Sequence, residues 1–289
     1  MPSGPPPTIF ADHSRTWRGN LYVYPVISRR SKGLSIGVNL NPDKVCNFDC
    51  VYCCVDRTTP PAVKHVDPAV LAAELDHMLA LATGGEIYHA APFDQTPPSL
   101  RVLRDVAFSG DGEPTSARRF PEACRIVADA LARRRLPGVK IVVITNATLL
   151  HRPTVKAALA FLDDHDGEVW AKLDAGTEEY YRLVDRSTVP FERVLDNILG
   201  AGQTRPIVIQ SLFMRLHDQP PPPSEIEAYV ARLGELVRRG CRIRLVQVYT
   251  TARATSEAYV RPLEEPGLLA IAERVRGLGI PAECFADPR

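Results

Sequence analysis

Six times along the chain a short apolar run gives way to a stretch with helical spacing. The runs cover residues 34–40, 102–108, 140–145, 168–174, 206–214 and 242–250. The helical stretches cover 67–82, 116–136, 152–162, 177–183 with 191–199, 224–239 and 263–278. Near-continuous apolar runs suit strands buried on both faces, and an intervening helix returns the chain to the same end of the sheet, so the strands pair in parallel. The pattern predicts a parallel α/β sheet with helices outside. No Gly-x-Gly-x-x-Gly opens a helix after the first run, which removes the main support for a dinucleotide-binding fold.

Punctuation residues set the boundaries. Asp67-Pro68 reads as cap and first turn of the first helix, and Gly84-Gly85 as its stop. Residues 85–101 lack periodicity and read as a loop or hairpin insertion. Pro220 to Pro223 mark an exposed loop, after which Ser224 with Glu227 suggests a capping box. Residues 21–26 suit a short edge strand, and 281–285 a last short one. No break in composition divides the chain, so one core domain over 34–289 is expected behind an extension over 1–33.

Charge and cysteine usage narrow the function classes. The formal net charge of +1 gives no global attraction to nucleic acid or anionic lipid. Residues 1–35 carry Arg15, Arg18, Arg29, Arg30 and Lys32 against Asp12, an excess read as a solvated entry segment rather than a phosphate-binding arm. Four of the seven cysteines fall at 46, 50, 53 and 54, unlike the spread of a secreted disulfide scaffold. No apolar run approaches the ~18 residues that span a bilayer. With no signal-peptide pattern at the start, a cytoplasmic protein with reduced thiols is expected. His77, among apolar neighbours in the first helix, reads as packing, and Cys124, Cys241 and Cys284 as small buried hydrophobes.

In a parallel α/β fold the loops after the strand C-termini share one face, and that face carries the site. Cys46, Cys50 and Cys53, spaced C-x3-C-x2-C, follow the first run. Three such thiolates can hold three irons of a [4Fe–4S] cube and leave the fourth iron open. The rival is a zinc site completed by Cys54 or a histidine, although the paired C-x2-C elements usual for zinc are missing. Gly110-Asp111-Gly112-Glu113 follows the second run and lets backbone approach a ligand closely. Thr145-Asn146 follows the third. Lys172 and Asp174 share a face at the end of the fourth, either as a mutual ion pair or as ligand contacts.

These segments resemble those of the radical SAM superfamily, from about residue 34 to 285. The carrying stretches are Cys46-Asn47-Phe48-Asp49-Cys50-Val51-Tyr52-Cys53, Phe108 to Thr115, Thr145 to Leu150, Lys172 to Gly176 and Gln247 to Thr250. The cysteine motif points to the superfamily. The later stretches are similar to the wyosine-type tRNA-modifying enzymes and their shorter relatives. The resemblance implies a partial (βα)6 TIM-like barrel with one [4Fe–4S] cluster on Cys46, Cys50 and Cys53. It implies S-adenosylmethionine on the open iron, with Gly112, Glu113, Asn146, Lys172 and Asp174 as cofactor contacts and the Tyr52 backbone near the adenine.

The implied activity is that of an oxidoreductase or transferase. A low-potential donor of flavodoxin or ferredoxin type reduces the cluster, S-adenosylmethionine is cleaved, and a 5′-deoxyadenosyl radical takes hydrogen from a substrate. RNA, a peptide and a small metabolite all remain open as that substrate. Wyosine-forming enzymes bind a second cluster through cysteines upstream of the motif. In this sequence no cysteine precedes Cys46, so that second cluster is not expected. Cys54 is expected to stand apart from the cube. Two rivals remain, an iron–sulfur redox or sensor protein without cleavage, and a nucleic-acid-binding protein using Arg29, Arg30 and Lys32.

Overall fold

The computed structural model describes residues 17–286 together with Phe10 and Arg15. The expected extension therefore lies partly outside the described residues. Its described part enters the sheet: β1 (Val23–Ser28) pairs antiparallel with β2 (Gly33–Val38). Then follow α1 (Pro68–Gly84), β3 (Leu103–Phe108), α2 (Phe120–Arg133), β4 (Lys140–Thr145), α3 (Pro153–Asp163) and β5 (Gly167–Lys172). The second half comprises α4 (Glu178–Val184), α5 (Phe191–Thr204), β6 (Ile207–Leu212), β7 (Met214–Leu216), α6 (Pro223–Arg238), β8 (Ile243–Tyr249), β9 (Val260–Pro262), α7 (Glu265–Arg276) and β10 (Ala282–Phe285).

The main sheet runs β1-β2-β3-β4-β5-β6-β8-β10, with every pair after the first hairpin parallel. This is the expected α/β partial barrel. Alternation along each strand separates two apolar layers. Val106, Phe108, Ile141, Val143, Val169, Ile207 and Ile209 join the large core under the helices. Ala107, Val142, Trp170 and Val208 form a small cluster of their own inside the curl. The turn of the β1–β2 hairpin spans the gap between the first and last strands. Lys32 pairs with Glu283 at 2.9 Å, Arg29 donates to the Ala286 carbonyl, and Arg30 stacks on Tyr249 at 4.8 Å. The basic entry segment is thus turned inward in part, against the expectation of a solvated stretch.

Asp67 caps α1 through Ala69 and Val70, with Gly85 left-handed at the other end, as the sequence predicts. On the same helix Glu74 accepts from the backbone N–H groups of Leu21, Tyr22 and Val23 at 2.6–3.1 Å, fixing the entry to β1. Four expectations need correction. The expected capping box at Ser224 does not form: α6 has no side-chain cap, because Pro222 precedes it and Glu225 turns to the Gly176 N–H and the Thr177 hydroxyl. The fifth strand ends at Leu212, and Met214–Leu216 leaves the sheet to pair with β9. The helix expected from residue 116 begins at Phe120, since Pro114–Ser116 first makes a 3-10 turn held by Glu113. His77 is exposed rather than packed. Among the described residues no helix is long and apolar enough to cross a membrane.

Candidate functional site

The loop between β2 and α1 carries the four clustered cysteines, and all four line one cavity of about 320 Å³ inside the curl. The loop is held from several sides. Asp49 N–H donates to Asp185 O at 3.1 Å, and Val51 N–H to Val184 O at 2.9 Å, tying it to the end of α4. Ser256 N–H donates to Cys53 O at 2.8 Å. Phe48, Val51 and Tyr52 are buried, with Phe48 edge-on to Tyr181 at 5.6 Å. These buried anchors, alternating with the thiols, hold the sulfurs at the cavity.

The sulfur environments differ. Cys46 Sγ accepts from Phe48 N–H at 3.5 Å, Cys50 donates to Asp185 Oδ1 at 3.4 Å, and Arg57 approaches Cys53 Sγ at 3.7 Å. Burial pushes the Cys46 and Cys50 thiols up, at Cys50 with help from Asp185. Bound cations reverse that preference, because a coordinating thiol gives up its proton. Cys46, Cys50 and Cys53 line the same cavity, and three thiolates are a donor set that can hold three corners of a cube. Cys54 donates to the Tyr52 carbonyl at 3.6 Å. The residues present therefore fit a three-thiolate cluster.

The Gly-Asp-Gly-Glu loop after β3 packs tightly against that loop and the end of β2. A Cβ on Gly112 would collide with the Val45 carbonyl, and one on Gly110 with the Asn39 side chain. Asp111, which interrupts the glycine pair, is an anchor: Asn39 donates to it at 2.7 Å and Arg15 pairs with it at 2.5 Å. Glu113 is 2% exposed. Its Oε1 accepts from Thr115 N–H, the Thr115 hydroxyl and the Thr145 hydroxyl at 3.1, 2.5 and 2.7 Å, and its Oε2 from Asn146 N–H at 2.7 Å. Burial raises the Glu113 carboxyl, and these four donors oppose that rise. A carboxylate has about four acceptor sites. The single bond to Oε2 leaves that oxygen able to accept another donor from the cavity, which Glu113 lines.

Asn146 is bound to the cysteine loop itself. Its amide donates to Asn47 Oδ1 at 2.7 Å and accepts from the Thr148 hydroxyl at 2.7 Å, while Asn47 donates back to that hydroxyl at 2.7 Å. Lys172 and Asp174 form the mutual ion pair, at 3.0 Å, and Lys172 also donates to the Tyr249 hydroxyl at 2.9 Å. Burial lowers the Lys172 ammonium, but Asp174, Tyr249 and Cys50 outweigh it and leave it raised. Asp174 further accepts from Leu212 N–H at 2.7 Å and the Tyr52 hydroxyl at 2.5 Å.

The same Tyr52 hydroxyl lies 2.9 Å from Asp185. One hydroxyl proton cannot serve two carboxylates, so the second contact needs a proton on one of them. Burial, together with the Asp174 charge, pushes the Asp185 carboxyl well above the usual carboxylate range. Asp185 is the member suited to keep its proton.

The structure thus gathers Cys46, Cys50, Cys53, Tyr52, Gly112, Glu113, Asn146 and Lys172 at one cavity, with Asp174 directly behind Lys172 and Tyr52. Arg186, which follows Asp185, pairs with Glu257 at 2.6 Å. Sequence reasoning missed the roles of Asn47, Asp111 and Asp185. Asp185 had a signal, a carboxylate next to a helix end, but nothing local tied it to Cys50, 135 residues away.

The comparisons agree with this geometry. A family model described as the radical SAM superfamily matches residues 40–215. A UPF0026 protein of Helicobacter pylori is 28% identical over 181 residues, covering 62% of this chain and 51% of that protein. A UPF0026 protein of Synechocystis is 25% identical over 202 residues, covering 68% and 66%. The chain spans about half the length of the first of these relatives. Among solved structures, a radical SAM methyltransferase from Sphaerobacter thermophilus matches with TM-score 0.59 at 14% identity, covering 91% of this chain and 68% of that one. TYW1 with a lysine-pyruvate adduct matches with TM-score 0.50 at 16% identity, covering 86% and 74%. At such identities these two speak to the fold. The family match covers more than half of the chain and includes the cysteine loop, Glu113, Asn146 and the Lys172–Asp174 pair, and on that ground the chain belongs to the radical SAM superfamily.

Proposed function

We propose that the chain holds one [4Fe–4S] cluster on Cys46, Cys50 and Cys53 and cleaves S-adenosylmethionine reductively to abstract hydrogen from a substrate. The observation that carries this reading is the shared cavity, lined by three thiols together with Glu113 and its polar partners. Bound there, the cluster and S-adenosylmethionine supply the one-electron chemistry, with the electron coming from a low-potential donor of flavodoxin or ferredoxin type. The chain's own residues hold and orient. Glu113 Oε2 has room for one ammonium donor beside Asn146 N–H. Gly112 keeps the backbone of its loop against the cysteine loop. Tyr52, Asp174 and Lys172 brace the wall behind Cys50, and Arg57 places a positive charge beside Cys53. Chemistry of this kind needs reduced thiols, which suits the cytoplasm.

The test is anaerobic reconstitution with iron and sulfide, followed by dithionite and S-adenosylmethionine. The expected product is 5′-deoxyadenosine. A cluster-loaded sample that yields none with several reductants sinks the cleavage reading and leaves an iron–sulfur redox or sensor protein. A Cys50→Ala variant that still binds four irons refutes the ligand set.

A further inference from the structure

We propose that the wall of the cavity formed by Arg30, Arg253 and Gln210 is the substrate subsite, and that the substrate is a small organic anion with a carboxylate or phosphate group and a hydrogen-bond donor. This rests on the reading above and adds the substrate class to it. Of the cations lining the cavity, Arg15 pairs with Asp111, Lys172 with Asp174, Arg29 donates to the Ala286 carbonyl and Arg57 to the Lys44 carbonyl. Arg30 and Arg253 line the same cavity, and among the described residues neither has an ion pair or a side-chain hydrogen bond. Arg30 lies flat over the Tyr249 ring at 4.8 Å. Asp105 is within Coulombic range of Arg30 without pairing with it.

Partial burial lowers Arg253; the neighbouring Cys54 opposes this, and the Arg15 and Arg30 charges add to it. Half-buried guanidiniums held near one another without a directly paired counter-ion are unfavourable until an anion enters, and their planar forks match carboxylate or phosphate. A second, independent observation points to the same place. Gln210 is 0% exposed and lines the cavity; its amide donates to Gln247 at 2.7 Å, but its Oε1 has no partner. A buried acceptor left unmade costs stability, and a ligand N–H or O–H would satisfy it.

Position separates this wall from the one expected to hold S-adenosylmethionine. Glu113 and Asn146 follow β3 and β4, whereas Gln210 is on β6, Arg253 follows β8 and Arg30 turns in from the β1–β2 hairpin. The chain's net charge of only +1 gives no general attraction to a polynucleotide, so the local pair of cations favours a small anion.

The experiment is a calorimetric titration of the cluster-loaded full chain with inorganic phosphate and, in parallel, succinate. It is done without reductant, with and without saturating S-adenosylmethionine. One of the two anions is expected to bind at a single site and to persist when S-adenosylmethionine is present. Arg253→Gln and Arg30→Gln should each weaken it by about tenfold or more. Arg244→Gln, whose guanidinium already pairs with Glu168 at 2.6 Å, should leave it unchanged. Arg253 makes no side-chain bond whose loss would unfold the chain, so its variant stays informative if Arg30→Gln misfolds. Absence of binding by both anions, binding insensitive to both substitutions, or displacement by S-adenosylmethionine overturns the proposal. So does steeply salt-dependent binding of total tRNA without binding of either small anion. Anion binding without 5′-deoxyadenosine production sinks the cleavage reading and keeps the subsite; production without anion binding does the reverse.

Discussion

The two walls of the cavity are built on opposite principles. On the β3–β5 side every charged side chain has partners: Glu113 has four donors, Asp174 has a lysine, a tyrosine and a backbone N–H, and Asp111 has Arg15 and Asn39. Toward β6, β8 and the hairpin, Arg30, which stacks on Tyr249, Arg253 and Gln210 Oε1 have no hydrogen bond or ion pair among the described residues. A satisfied buried network is rigid and fixes geometry; an unsatisfied one is a cost that the fold carries toward a ligand. The difference teaches which wall is scaffold and which wall waits for something, and it can be broken by substitution.

The largest effect belongs to Glu113→Ala. It leaves two hydroxyls and two N–H donors facing a buried void, and a loss of roughly 3 kcal/mol or more is expected from unmade buried hydrogen bonds. Urea unfolding of the metal-free protein measures it. A loss below about 1 kcal/mol would show that the network is not the rigid scaffold described. Tyr52→Phe comes next. It removes the hydroxyl between Asp174 and Asp185, and roughly 2 kcal/mol of destabilisation follows because two buried carboxyl groups lose a shared partner. An unchanged midpoint would mean that Lys172 and the Leu212 N–H suffice for Asp174.

The scaffold wall was half legible in the sequence. Buried parallel strands read as apolar runs, and the 140–145 run coincides with β4 residue for residue. The cysteine spacing, the glycine loop, Asn146 and the Lys172–Asp174 pair lie where local pattern placed them, because each belongs to a strand end. What pairs with them did not show, since those partners are set by packing. Asp111 read as an interruption of two glycines until Asn39 and Arg15 closed on it. The waiting wall was hardly legible at all. Arg30 looked like one residue of a solvated basic segment, and only the hairpin's reach to Tyr249 turns it inward. Arg253, in a loop of ordinary polar composition, carried no signal.

Between the walls lies the cavity floor, where Asp105 accepts from the Ser35 hydroxyl. Burial raises the Asp105 carboxyl, against the pull of nearby hydroxyls. A carboxyl whose folded value exceeds its unfolded value of about 3.9 stabilises most below that pH, and the contribution is lost as pH rises through the folded value. Asp105→Asn should therefore flatten a decline in stability above about pH 4. Urea midpoints of wild type and variant through this range test it. Parallel profiles would mean that Asp105 stays charged and that Arg30 is its effective counter-ion, which would move Arg30 to the satisfied wall.

The smallest effect is the most discriminating. Arg253→Gln removes a half-buried cation with no partner among the described residues, so no hydrogen bond or ion pair is broken. It also relieves repulsion from Arg15 and Arg30 while losing the attraction to Cys54. The expected change is within about 0.5 kcal/mol of zero or slightly stabilising, in contrast to the scaffold wall. The sign carries the argument, because a guanidinium that stabilised the empty fold would have to be paired with something. Adding the anion found by titration should reverse the sign. The wild type gains stability in proportion to ligand occupancy, the variant gains little, and at saturating anion the wild type becomes the more stable of the two. Thermal unfolding with and without anion reads both halves. A destabilised variant without anion would show that Arg253 is a structural part of the wall, and the contrast between the two sides of the cavity would then rest on Arg30 and Gln210 alone.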